Sequence, residues 1–180
     1  MKKMFFTLAL IAGFVVSKAQ FSHSAGASLF YVTSKTGDAT VPYGITYFPR
    51  YSFGAFSVGV PVTLGLSGSF NSRDGVSEGA SFTYHVPLVV DYNFGLGSTE
   101  DNESGFGGFI GAGYGLFSTS FVSDYSSGTL KANGPLARAG VRFPISERIF
   151  TVAFNFQKGG GEEKANVFGV SLLYNFGGNN

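Results

Sequence analysis

The stretch FSVGVPVTLGL, Phe56 to Leu66, separates its residues into two rows with a period of two. Val58, Val60, Val62, Leu64 and Leu66 fall on one face, and Ser57, Gly59, Pro61, Thr63 and Gly65 on the other. Period two marks a β-strand, because successive side chains leave it in opposite directions. The polar row holds only small uncharged residues, where a strand facing water would carry Lys, Glu, Asp or Arg. A narrow membrane barrel accounts for both rows, with the aliphatic one against hydrocarbon and the small one filling a tight interior.

The same alternation recurs on both sides of this stretch. Toward the N-terminus, Phe21 to Thr33 opposes Ala25, Ala27, Leu29 and Tyr31 to Ser22, Ser24, Gly26 and Ser28, and Val41, Tyr43, Ile45 and Tyr47 begin a strand that ends near Pro49 and Arg50. Toward the C-terminus, Phe82 to Phe94 alternates with Thr83, His85, Pro87, Val89, Asp91 and Asn93. Phe106 to Phe117 lies in an uncharged run that a membrane helix could also use. Its glycines, at 107, 108, 111, 113 and 115, each cost a helix interior about 1 kcal/mol, which favours a strand. Three further strands carry Ala137, Ala139, Val141 and Phe143; Phe150, Val152, Phe154 and Phe156; and Phe168, Val170, Leu172, Tyr174 and Phe176. The expected connections include polar loops at 67–80 and 118–134, a short turn at 144–148, and KGGGEEK at 158–164. None of the eight outward rows contains Lys, Arg, Asp or Glu. The expectation is an all-β, eight-stranded, antiparallel up-and-down transmembrane β-barrel over residues 20–180, following a cleaved signal peptide.

That signal is read from Lys2 and Lys3, the apolar run Met4 to Val16, and Ser17-Lys18-Ala19 before Gln20. The run is well short of the ~20 residues of a spanning helix. Charged residues are 13% of the chain, against about 25% in ordinary soluble domains, too few to cover a water-facing surface. A net charge of +1 leaves no basic footprint for nucleic acid. There is no cysteine, so nothing covalent holds the fold, while 21 Phe and 9 Tyr could supply interfacial girdles.

Several segments together resemble the small OmpX-like outer-membrane β-barrels, especially those of Bacteroidetes. They are Ala19-Gln20, YFPRY at Tyr47 to Tyr51, VGVPVTLG at Val58 to Gly65, PLVVDYNFG at Pro87 to Gly95, GVRF at Gly140 to Phe143, and LLYNF at Leu172 to Phe176. The resemblance implies an outer-membrane address in a Gram-negative cell, contact with outer-membrane lipid, and delivery by the barrel-assembly machinery. That machinery reads a terminal aromatic residue; here GGNN follows Phe176.

Asp91, Arg138 and Arg142 are the inward charges that stand out. The strand between them presents mostly glycine inward, and two strand spacings are ~10 Å, so an Asp and an Arg can meet across it. An interior ion-pair network near the periplasmic end is expected, with His85, Asn93, Asn155 or Gln157 joining. His85 has no Ser and acid at suggestive spacing, and no metal or cofactor motif is visible, so enzymatic activity is not expected. Phe121 and Tyr125 are candidate contact aromatics in a loop. The leading expectation is a filled barrel with a structural or surface-interaction role and no porin activity. The alternative is a secreted soluble β-barrel that binds a small hydrophobic ligand.

Overall fold

A computed structural model describes residues 20–33, 39–69, 81–97, 105–123, 126–146, 148–160 and 165–176. The proposed signal, residues 1–19, lies outside them. The chain forms β1 (Gln20–Thr33), β2 (Ala39–Phe53), β3 (Phe56–Gly59), β4 (Val62–Ser69), β5 (Ser81–Gly95), β6 (Gly107–Ser123), β7 (Ser126–Ile145), β8 (Arg148–Lys158) and β9 (Asn166–Phe176). Each pairs antiparallel with its neighbours, and β1 pairs with both β2 and β9, so the sheet closes.

β3 and β4 are halves of one barrel strand. The pairings Gly59↔Val89 and Thr63↔His85 advance equally on both sides of the gap, so the register is continuous through it. Pro61 has no N–H to give the ladder, while Val60 N still donates to Pro49 O at 3.2 Å. The ring therefore has eight strands.

The outward rows are apolar, with Ile45, Leu64, Leu88, Ile110, Tyr114 and Leu172 each more than half exposed. The inward rows are buried, including Ser57, Thr63, Thr83, His85, Asp91 and Asn93. Near the chain termini the outer face becomes a belt of rings in contact: Phe21 with Tyr51, His23 with Phe176, Phe56 with Tyr92, and Phe150 with Tyr174. Such belts mark a membrane–water interface.

Two segments run further than the sequence suggests. β2 continues past Arg50 to Phe53, and Gly54 at φ 60° opens the two-residue turn to Phe56, the backbone that a type II′ hairpin needs and that glycine adopts without strain. The expected loop at 118–134 is mostly sheet. β6 and β7 stay paired from Gly107↔Arg142 to Ser123↔Ser126, whereas β7 and β8 pair only as far as the Asn133↔Gly160 bridge. The β6–β7 hairpin thus projects past the described end of β8, at the end opposite the termini. These longer strands also bring charges onto the outer face, among the described residues only at its edges: Arg148 at one end, Lys131 and Lys158 at the other, all exposed.

Candidate functional site

The interior is built in levels along the barrel axis. At the terminus end, Arg50 Nε donates to Ser22 Oγ at 2.8 Å. Arg142 Nη2 donates to Asn93 Oδ1 at 2.7 Å, and Asn93 Nδ2 donates to Ser57 Oγ at 3.0 Å and to Ala55 O at 3.1 Å. Arg142 Nη1 also donates to Leu96 O at 3.4 Å. One guanidinium and one amide thereby fasten both the β2–β3 turn and the start of the β5–β6 connection.

One level further in, Arg138 Nε lies 3.6 Å from Asp91 Oδ1. That is an ion-pair contact and too long for a good hydrogen bond. Asp91 Oδ1, Arg138 Nη1, Arg142 Nε and Asn155 Oδ1 are buried without a hydrogen-bond partner. Gly111 makes the contact possible: it stands opposite Asp91 on one side and Arg138 on the other, and a Cβ there would overlap Asp91 Oδ1. Aromatic faces supply part of what the cations lose in water. Arg138 Cζ lies 4.7 Å from the centroid of Phe109 and 4.8 Å from that of Phe48, and Arg142 Cζ lies 5.0 Å from Phe109.

Beyond this level Phe48, Val89, Leu136 and Leu173 form an apolar layer. Ser28, Thr46, Thr63 and Ser171 form a chain of hydroxyls, with Thr46 to Thr63 and Ser28 to Ser171 both at 2.6 Å. His85 belongs further still from the termini. Its Nε2 lies 2.9 Å from Gln157 Oε1, and its ring meets Phe30 edge-on with centroids 5.2 Å apart. Gln157 donates to the carbonyls of Gly115 and Ala132. Around it Phe30, Val32, Phe117, Ala132, Ala165 and Val167 close the core at this end.

Asp91, Arg138 and Arg142 therefore share one region of the lumen: Arg138 pairs with Asp91, and Arg142 hydrogen-bonds to Asn93. His85 does not join that network; it pairs with Gln157 instead. Asn155 lines the interior without a hydrogen bond to its Oδ1. Phe121 is a residue of β6, opposite Gly128, and Tyr125 lies outside the described residues. The residue missed by sequence reading is Arg50, buried at 8% exposure. It has the same parity as the inward Gly44, Thr46 and Phe48, which is the signal that would have found it. Among the described residues the lumen thus holds three arginines against one carboxylate.

No protein-family model matches the chain, and no curated protein matches it. Solved structures do. The Neisserial surface protein A, NspA, aligns with a TM-score of 0.66 at 14% identity, covering 89% of this chain and 99% of that one. The fold is that of the small outer-membrane barrels. Ail, the attachment invasion locus protein of Yersinia pestis, aligns at 0.59 and 17% identity over 88% and 99% of the two chains. OprG, an outer membrane protein of Pseudomonas aeruginosa, aligns at 0.53 and 15% over 89% and 97%. At these identities the likeness concerns the fold.

Proposed function

We propose that this chain is an integral outer-membrane protein of a Gram-negative cell, a barrel closed to solutes by its own side chains and without enzymatic activity. Its termini face the periplasm, and the projecting β6–β7 hairpin and neighbouring loops engage partners outside the cell. The observation that carries this reading is the position of the charges on β8. Arg148 and Lys158 lie ten residues apart on one outward row, with only Phe150, Val152, Phe154 and Phe156 between them. At ~3.3 Å per residue and a tilt of ~40°, that is a height of about 25 Å, the thickness of the apolar band of membrane barrels.

The closed interior is supported by its residual space. The cavity bordered by Thr46, Thr63, His85, Arg138 and Asn155 offers about 20 Å³, room for about one water molecule. A soluble barrel that binds a hydrophobic ligand would need the reverse arrangement, charged outside and hollow within. The role at the surface rests on the same frame: Phe121 belongs to the β6 end of the projecting hairpin, and it and Tyr125, four residues on in the sequence, are the aromatics we assign to partner contact. Residues 1–19 act as the export signal, outer-membrane lipid surrounds the band, and the barrel-assembly machinery inserts the chain.

Two measurements test this reading. The mature chain refolded in detergent is expected to migrate differently on gels with and without boiling, and to give no steady conductance in planar bilayers. Identical migration together with solubility in plain buffer rejects the membrane assignment, whereas steady conductance rejects the closed lumen alone.

A further inference from the structure

The lipid-facing surface is not uniformly smooth. Two cross-strand rows run over β7, β8, β9 and β1: Ala137, Phe156, Phe168 and Tyr31 form one, and Ala139, Phe154, Val170 and Leu29 the other. On β7 each row ends in a methyl group beside a phenyl ring, which leaves a hollow. The result is an outward-facing groove of about 620 Å³ with an almost wholly apolar lining. It lies in the half of the barrel away from the termini.

Directly beyond it on the outward row of β8, two residues past Phe156 and therefore about 7 Å along the strand, stands the exposed Lys158. Its cross-strand neighbour is Asn166, and among the described residues it forms no ion pair. A groove in a bilayer does not by itself select a ligand, because an acyl chain is as well solvated by other chains as by phenylalanine. Selection has to come from the headgroup, and a lysine at the interface favours an anionic one.

Resting on the outer-membrane reading above, we propose that this groove seats an acyl chain of a phosphorylated glycolipid of the outer leaflet, with Lys158 pairing to its phosphate. The occupant is one defined lipid, held by shape along Phe154 and Phe156 and by charge at the rim. Native mass spectrometry of the refolded barrel titrated with diphosphoryl lipid A, phosphatidylglycerol or phosphatidylcholine tests it. Wild type is expected to retain lipid A in preference to both phospholipids. Ala139→Phe, which fills the hollow, is expected to lower lipid A retention roughly tenfold, and Lys158→Gln to lower it several-fold without changing retention of phosphatidylcholine. Retention of lipid A unchanged by both substitutions, or equal retention of phosphatidylglycerol, overturns the assignment. Heat-modifiable migration of each variant is read first. A wild-type chain that fails there sinks the membrane reading itself, and Lys158→Gln, altered only at an exposed strand end, keeps the test standing if Ala139→Phe does not fold.

Discussion

Asp91 and Arg138 meet over a residue that has no side chain: the carboxylate of Asp91 occupies the space that a Cβ on Gly111 would take, and from there it lies 3.6 Å from the Arg138 guanidinium. Gly111→Val is therefore expected to push Asp91 out of reach while leaving the outer face unchanged. Breaking a buried pair on one side costs about 3–5 kcal/mol. Urea unfolding of the refolded barrel should show a loss approaching that size. A midpoint within error of wild type would falsify the view that Gly111 is there to seat the carboxylate.

The lumen's charge imbalance makes the two partners unequal. Replacing Asp91 with Asn leaves Arg50, Arg138 and Arg142 with no carboxylate among the described residues, whereas replacing Arg138 with Met removes one of three cations. Asp91→Asn should destabilise by about 3 kcal/mol or more, and Arg138→Met by less. The double variant should be more stable than the sum of the two losses, because the residues touch. Additive losses in the same urea titration would show that the 3.6 Å contact contributes nothing of its own.

The rows that define the strands were legible because a barrel gives its two faces opposite surroundings, and Val58 to Leu66 had to obey both. What escaped the sequence lies where that constraint lapses. Ser118 to Gly134 carries few apolar residues because part of this hairpin projects beyond the described end of β8, so the backbone ladder forms there without full alternation. Arg50 reads as a strand end because it follows Pro49, which breaks ladders, whereas the turn is at Gly54. His85 shares the parity of Asp91 but sits six residues away, about 20 Å along the strand, and parity says nothing about level. Gln157, three strands away in the sequence order and adjacent across the lumen, is a neighbour that only closure of the ring reveals.

The membrane reading makes a depth-dependent prediction on a single strand. Leu88 lies near the middle of β5 and is 57% exposed, while Phe94 is exposed near its terminus-side end. On a lipid face, Arg at mid-bilayer costs about 2–4 kcal/mol and near an interface about 0–1 kcal/mol. Leu88→Arg should accordingly lose several-fold more stability in lipid vesicles than Phe94→Arg. Equal effects, or a gain for Leu88→Arg in plain buffer, would mean that water and not hydrocarbon covers this face.

Gln157 offers a test of how the far end of the lumen is held. It is fully buried, faces His85 Nε2 at 2.9 Å through Oε1, and donates through Nε2 to Gly115 O at 3.0 Å and to Ala132 O. Gln157→Leu strands the imidazole nitrogen among Phe30 and Phe117, and an unsatisfied buried polar group costs about 1–3 kcal/mol. Replacing both partners with apolar groups of similar shape removes that penalty, so His85→Phe combined with Gln157→Leu should recover most of the loss in urea unfolding. Gly115→Ala should mimic the single variant, since its Cβ would overlap Gln157 Oε1 and displace the amide without changing its chemistry. If the double variant is no more stable than Gln157→Leu alone, the carbonyls of Gly115 and Ala132, and not the histidine, are what Gln157 serves.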